Sequence, residues 1–137
     1  VVWKHIQVLE LPYNQIEENG AVAIGSNTTW KNLRKLNLDF NKIGDKGAEG
    51  IGANVAWVAL KLLELSSCQI GDKGAIAIGN NTSWKDLRKL MLGVNMIGDA
   101  GAEAIGRNET WTNLEMLSLY NNRIGDRGAF AIGSNIT

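Results

Sequence analysis

The repeating unit of this chain is WKNLRKLNLDFNKIGDKGAEGIGANVA, residues 30–56. The pattern occurs five times with a period of 27 residues, in residues 3–29, 30–56, 57–83, 84–110 and 111–137, and nine of its positions never change. A fixed period of this length is typical of one small structural unit stacked along an axis. We therefore expect residues 1–137 to form a single repeat domain that is part of a longer array.

Each copy joins a strand pattern to a helix pattern. In the second copy, Leu36 and Leu38 have the spacing of two that places side chains on one face of a strand. Ala48 and Ile51 follow at helical spacing. Because every copy repeats the same step, the strands should be parallel neighbours. The sequence thus predicts an α/β solenoid, a curved horseshoe with a parallel β-sheet on the concave face and short helices on the convex face.

Small and polar residues mark the ends of the predicted helices. We expect Asp45 and its counterparts to cap their own helices, although a row of carboxylates could also suggest calcium. Gly52 and Asn54 are predicted to give the helix a left-handed exit. Gly47 and its counterparts should let the helix approach the sheet closely. The counterparts are Asp72, Asp99 and Asp126 for the aspartate, and Gly20, Gly74, Gly101 and Gly128 for the glycine.

Two further columns of the repeat are interpreted as structural. An Asn after each strand, replaced by Cys68 in the third copy, is predicted to bond the backbone of adjacent coils. We therefore expect Cys68, the single cysteine, to be a core residue rather than a reactive thiol. The Trp that opens each copy is predicted to form a stacked ladder in the core rather than a ligand platform. These columns contain Asn14, Asn41, Asn95 and Asn122, and Trp3, Trp30, Trp57, Trp84 and Trp111.

The repeat resembles a known family. Residues 33–43 follow the pattern L-x-x-L-x-L-x-x-N/C-x-L, which resembles leucine-rich repeats. The stretch Ile97-Gly98-Asp99-x-Gly101-Ala102-x-Ala104-Ile105 is similar to repeats of the ribonuclease-inhibitor type, also found in the sensing region of nucleotide-binding innate immune receptors. The resemblance implies a scaffold for protein recognition. It also leaves open a GTPase-activating scaffold, since some repeats of this type help a small GTPase to hydrolyse its nucleotide.

The composition disfavours several classes of function. Fourteen basic residues balance fourteen acidic ones, so no overall field would attract nucleic acid. No apolar run reaches the roughly 18 residues that span a bilayer, so membrane insertion is not expected. His5 is the single histidine, and no His or Cys spacing fits a metal site. We therefore predict no catalytic residue, metal or cofactor, and a protein that is not an enzyme.

The sheet positions that face away from the leucines vary among the copies while the frame stays constant. Sheet geometry places these positions together on the concave face. Many hold aromatic, aliphatic or Met side chains, which favour a protein interface over a solvated surface. We predict a partner-binding surface formed by Val8, Glu10, Tyr13, Lys35, Asn37, Asp39, Phe40, Leu62, Glu64, Ser66, Lys89, Met91, Val94, Met116, Ser118 and Tyr120.

Two other functions remain open: a structural spacer or oligomerising segment of a larger protein, and a receptor or adhesin ectodomain for a glycan or microbial molecule. Nothing polar covers the outer faces of the first and fifth copies, so we expect the chain to continue or to self-associate there. The lack of Cys pairs favours an intracellular location. Asn-x-Ser/Thr acceptors, which would suit an extracellular protein, occur at Asn27, Asn80, Asn81, Asn108 and Asn135.

Overall fold

The computed structural model describes residues 3–135, which form five strand–helix coils. The strands are β1 (Val8–Glu10), β2 (Lys35–Asn37), β3 (Leu62–Glu64), β4 (Lys89–Met91) and β5 (Met116–Ser118). The helices are α1 (Glu18–Gly25), α2 (Gly44–Gly52), α3 (Asp72–Gly79), α4 (Asp99–Gly106) and α5 (Asp126–Gly133). The strands form one parallel sheet in chain order, and each helix packs against the helix of the next coil. This arrangement confirms the predicted α/β solenoid.

Leucine, isoleucine and tryptophan side chains fill the space between the sheet and the helices. Trp57 and Trp84 are fully buried, whereas Trp3 in the first coil is 64% exposed. The interior tryptophans are therefore core residues. Their rings do not form the predicted stacked ladder. Within residues 3–135 the one stacked aromatic pair is Tyr13 with Phe40. The indole of Trp57 instead directs its N–H edge to the Asn27 carbonyl oxygen of the preceding coil, at 3.1 Å.

The aspartates in the first helical turn cap the next helix rather than their own. Asp72 Oδ1 accepts the backbone N–H groups of Gly98 and Gly101, each at 2.8 Å. The prediction that each aspartate caps its own helix is wrong, because Asp72 is already inside the first turn of α3 and its carboxylate reaches across to α4. The same bonds join Asp45 to Gly71 and Gly74, and Asp99 to Gly125 and Gly128.

We expect Asp72→Ala to lower the free energy of unfolding by about 1–2 kcal/mol, the usual cost of a lost cap. In native-state hydrogen exchange, protection should fall at the Gly98 and Gly101 amides while the amides of α3 keep theirs. Asp126→Ala, measured at a concentration where the chain is monomeric, is the matched control, since Asp126 makes no side-chain hydrogen bond within the described part of the chain. A loss of protection centred on α3 would contradict the cross-coil cap.

The helices end without a left-handed residue. Ala53, which follows α2, has φ −76° and ψ −10°, so the predicted left-handed exit at Gly52 and Asn54 is wrong. Gly52 instead permits contact between helices, because an added Cβ would lie 2.6 Å from the Ala77 carbonyl carbon of α3. Gly47 has a similar role: its Cβ would lie 2.7 Å from the Cβ of Ala21. The close approach at Gly47 is therefore to the preceding helix and not to the sheet.

From the second coil onward, the Asn that follows each helix ties its coil to the preceding one. Asn81 is 5% exposed, and its Nδ2 donates to the carbonyl oxygens of Gly52 (2.8 Å) and Asn54 (2.9 Å). Its Oδ1 accepts the backbone N–H groups of Ser83 (2.8 Å) and Trp84 (3.2 Å). The amide thus satisfies carbonyl groups at the end of α2 that helix geometry leaves unpaired. Asn54 and Asn108 make the corresponding bonds, both to the preceding coil and within their own coil.

A second Asn column bridges the coils after the strands, as the sequence predicted. Asn41 Nδ2 donates to the carbonyl oxygens of Leu11 and Leu38, both at 2.9 Å. Its Oδ1 accepts the Ile16 N–H of the preceding coil at 2.9 Å. A buried amide therefore replaces the water that these backbone groups would otherwise bind.

Cys68 interrupts this second column and changes the backbone beside it. Its Sγ lies 3.2 Å from the Leu38 carbonyl oxygen, but cysteine has no amide oxygen to accept the Ile43 N–H of the preceding coil. The Gly44 N–H donates to the Cys68 carbonyl oxygen at 3.0 Å, with Gly44 in the left-handed region at φ +58°. Helix α2 begins one repeat position earlier than α3, at Gly44.

We expect a double-mutant cycle to link Cys68 and Gly44. Gly44→Ala alone should lower the free energy of unfolding by about 1–2 kcal/mol, because Ala resists positive φ. Cys68→Asn restores the missing acceptor and removes the need for that conformation. In the Cys68→Asn background, Gly44→Ala should therefore cost at least about 0.5 kcal/mol less, as measured by urea unfolding of all four proteins. Equal penalties in both backgrounds would show that Cys68 does not impose the conformation of Gly44.

Candidate functional site

Every coil has a residue with positive φ directly before the second Asn column. In the first four coils, the N–H of this residue donates to a carbonyl of the next coil, as Val94 does to Tyr120 at 2.8 Å. Asn adopts positive φ readily, whereas a bulky or β-branched residue does so only with strain. The five residues are Tyr13 (φ 56°), Phe40 (57°), Ser67 (55°), Val94 (55°) and Asn121 (51°).

Three of these strained residues present apolar side chains to solvent. Tyr13 is 74% exposed, Phe40 43% and Val94 36%. The rings of Tyr13 and Phe40 stack with centroids 4.2 Å apart and planes 9° from parallel. The edge of the sheet at the first two coils therefore carries a rigid aromatic pair.

An ion cluster covers the sheet face over β1 to β3. The Lys35 ammonium group bridges Glu10 and Glu64, with 3.4 Å between Lys35 Nζ and Glu64 Oε2. The hydrogen bond to Glu10 is the main cause of a raised pKa for Lys35. Glu64 Oε2 is buried, and its contact with Lys35 is an ion pair without hydrogen-bond geometry. Lys35 is thus occupied by two carboxylates of this chain.

The polar residues beside this cluster mainly hydrogen-bond to the turns after the strands, and so they offer little surface to a partner. Asp39 Oδ1 accepts the Ser66 N–H at 2.6 Å, and Asn37 Oδ1 accepts the Asp39 N–H at 2.9 Å. Burial raises the pKa of Asp39. Ser66 is only 7% exposed, so its side chain can add little to an interface.

The sheet face over the last three coils is mainly apolar. Leu62 and Met91 are half-buried, Met116 is 46% exposed and Tyr120 is 59% exposed. The Tyr120 ring lies against the backbone of Gly93, where an added Cβ would come within 2.0 Å of Tyr120 Cε1. Glycine at this position therefore makes room for the ring.

The structure brings the sixteen predicted site residues together on the strands and the turns that follow them. Eight are exposed: Val8, Glu10, Tyr13, Phe40, Lys89, Val94, Met116 and Tyr120. Seven are half-buried and one is buried: Lys35, Asn37, Asp39, Leu62, Glu64, Met91 and Ser118, and then Ser66. Sequence reasoning missed Met96, which is 42% exposed and lines a 480 Å³ cavity with Val94, Gln69 and Arg123. Its column also varies between copies, which was the available signal.

The described residues contain no exposed thiol, no metal-binding cluster and no membrane-spanning helix. Burial raises the pKa of Cys68 to about 12, and its thiol is inaccessible. Residues 3–135 contain no group of three or more His, Cys, Asp or Glu side chains placed to hold a metal ion. In the same range, no helix combines the length and the apolar character needed to cross a membrane.

Comparison with known sequences identifies the family. No curated protein sequence matches the chain significantly. A family model described as Leucine Rich repeat matches residues 4–25, 31–52, 60–79, 85–106 and 112–133. Such repeats commonly mediate binding between proteins and are generally non-catalytic. The matched segments cover most of the sequence, one in each coil, and the chain therefore belongs to the leucine-rich repeat family.

Proposed function

We propose that the chain is a non-catalytic protein-binding module that holds its partner on the concave face of the sheet. The observation that carries this proposal is the exposure of Tyr13, Phe40 and Val94 at left-handed positions. Strain of this kind costs stability and is concentrated at functional sites in proteins. Gly or Asn would relieve it, yet this chain has large apolar side chains there.

The apolar surface over the last coils supports the same proposal. Met91 and Met116 lie diagonally across the paired strands β4 and β5, and Tyr120 lies in the turn after β5. Aromatic and Met side chains are enriched at protein interfaces, where they supply contact area and adapt to partners. A solvated surface would expose fewer of them together.

The experiment compares proteins retained from a cell extract by three immobilised forms of the chain. The site variant is Phe40→Ser, Met91→Ser and Tyr120→Ser. The control variant is Val55→Ser, Val58→Ser and Phe130→Ser, three exposed apolar residues that do not belong to the sheet. Proteins retained by the unchanged chain and the control should be lost with the site variant. Retention of the same proteins by a site variant with an unchanged circular dichroism spectrum would overturn the proposal.

We expect Val94→Asn to raise the free energy of unfolding by about 1 kcal/mol, because Asn accepts positive φ at lower cost. Asn121 already occupies the same repeat position in the fifth coil. The same substitution should weaken partner binding. Urea unfolding and a binding titration measure the two effects. Val55→Asn, a change at an exposed valine without positive φ, is the control and should bring no gain. An unchanged or lower stability for Val94→Asn would contradict the strain argument.

A second proposal is head-to-tail self-association through the first and fifth coils. In the interior, each Asp accepts amides of the next coil and each Asn donates to the coil before. At the two ends, Asp126 Oδ1 and Asn27 Nδ2 have no such partner within residues 3–135, and Leu117 is only half-buried. A second copy would supply Gly20 N–H to Asp126 and the Gly133 carbonyl to Asn27. Such a heterologous contact repeats without closing.

Sedimentation velocity over a range of concentrations tests this self-association. The average mass should rise with concentration, and Asp126→Lys should suppress the rise while Glu109→Lys, an exposed control, should not. A monomer at every concentration would overturn the second proposal.

A further inference from the structure

We infer that the concave face selects a polypeptide segment in which a carboxylate is flanked by apolar side chains, and that Lys89 binds this carboxylate. The inference rests on the proposed function and specifies the partner's chemistry. It follows from a difference between two lysines that occupy the same repeat position.

Lys35 and Lys89 lie two coils apart at the same place on β2 and β4. Lys35 is paired with Glu10 and Glu64. Lys89 is exposed, and it forms no ion pair with any residue of the described range 3–135. One lysine is therefore neutralised within the chain, whereas the charge of the other is available to a partner.

The neighbouring strands explain the difference. The residues that correspond to Glu10 and Glu64 around Lys35 are Glu64 and Ser118 around Lys89, because the sheet pairs residues with a constant register. Glu64 points its carboxylate to Lys35, and Ser118 carries no charge. The sequence thus places a cation on β4 without supplying its counter-ion.

Apolar side chains surround this cation. Leu62 and Met116 are its direct neighbours in the register on β3 and β5. Met91, two residues further along β4, projects to the same face. A partner that covers these side chains removes water from the ammonium group. The attraction between Lys89 and a partner carboxylate then becomes stronger than it would be on an open surface.

The other cations nearby lie outside the apolar patch, just before the strands: Arg34, Lys61 and Arg88. Arg88, next to Lys89 in the chain, donates to Glu115 at 2.7 Å. Lys89 is the one cation on β3, β4 and β5, and a mainly apolar surface does not fit a nucleic-acid backbone, which requires a series of cations. An acidic and apolar polypeptide segment fits both features of the surface.

The experiment selects phage-displayed random peptides on the immobilised full chain. Enriched peptides should contain Asp or Glu flanked by aliphatic or aromatic residues. For one synthesised peptide of this kind, Lys89→Glu should weaken binding at least about tenfold. Selection on the Lys89→Glu variant should enrich Lys or Arg in place of the acid. Lys85→Glu, a change of an exposed lysine outside the strands, is the charge-matched control and should alter neither result.

The binding results distinguish a failure of this inference from a failure of the proposed function. If the selected peptides bind Lys89→Glu normally but lose binding to the Phe40, Met91 and Tyr120 variant, the inference is wrong and the concave face remains the site. If neither variant weakens binding while both keep the circular dichroism spectrum of the unchanged chain, both proposals are wrong.

Discussion

Replacing Gly79 by Ala is expected to lower the free energy of unfolding by about 3 kcal/mol, the upper part of the usual range for overpacking. An added Cβ would lie 2.7 Å from the Ala104 carbonyl carbon and the Ile105 nitrogen of α4. These atoms belong to the helix backbone, so they can yield only if α3 and α4 move apart. The separation would also stretch the Asp72 and Asn108 bonds that join the two coils.

Gly133→Ala is the matched control for this prediction. Gly133 holds the same repeat position at the end of α5, and an added Cβ would meet no atom within 4 Å. Because Ala is the better helix former by about 1 kcal/mol, this variant should be neutral or slightly stabilised. Urea unfolding followed by circular dichroism compares the two proteins. Similar midpoints for Gly79→Ala and Gly133→Ala would show that the distance between helices does not limit stability.

The second large effect is expected for Asn81→Ala, with a loss of about 3–5 kcal/mol in the free energy of unfolding. The substitution leaves two carbonyl oxygens of the preceding coil and two backbone N–H groups of its own coil without partners. Each buried polar group left unpaired costs about 1–3 kcal/mol, and some of these groups would relax or take up water. The side chain is almost fully enclosed, so little water is present to compensate.

Asn27→Ala tests whether the bonds between coils cause this loss. Asn27 occupies the same position in the first coil, where its Oδ1 accepts only the N–H and hydroxyl groups of Thr29. Its removal should cost about 1 kcal/mol, the value of a local cap. A comparable loss for the two variants would indicate that Asn81 acts within its own coil.

The core and the order of elements could be predicted because they follow from spacing within one copy. Leu36 and Leu38 lie on one strand face whatever surrounds them, and both are fully buried. Ile51 is also fully buried, as its helical spacing from Ala48 predicts. The burial of Trp57 and Trp84 followed from the same periodic frame, although the prediction of stacked rings was wrong.

The partners of the polar columns could not be predicted from one copy alone. A capping aspartate has the same local pattern whether it caps its own helix or the next one. In this molecule the adjacent helix brings the Gly98 amide within 2.8 Å of Asp72, and only the three-dimensional step between coils decides the outcome. For the same reason the local pattern indicates a helix exit at Asn54, although its amide binds the Gly25 carbonyl of the preceding coil.

The strained turn of the candidate site gave no signal in the sequence. Positive φ is normally indicated by Gly or Asn, yet Tyr13, Phe40 and Val94 hold these positions. Asn121 adopts the same conformation in the fifth coil without a bond to a following coil, so the turn keeps this backbone whichever residue a copy carries there. The variability of these columns indicates a binding surface, and that surface stays a prediction.

The bonds between coils join residues that are 25–30 positions apart in the chain, and each unit supplies an acceptor to the next coil and a donor to the previous one. A duplicated 27-residue segment inserted in frame would therefore bring with it all the groups needed at its new boundaries. Gene duplication could lengthen such a protein without any compensating change elsewhere. The segment with Cys68 also needs a glycine like Gly44 in the unit before it, and it would supply this glycine to its own duplicate as Gly71.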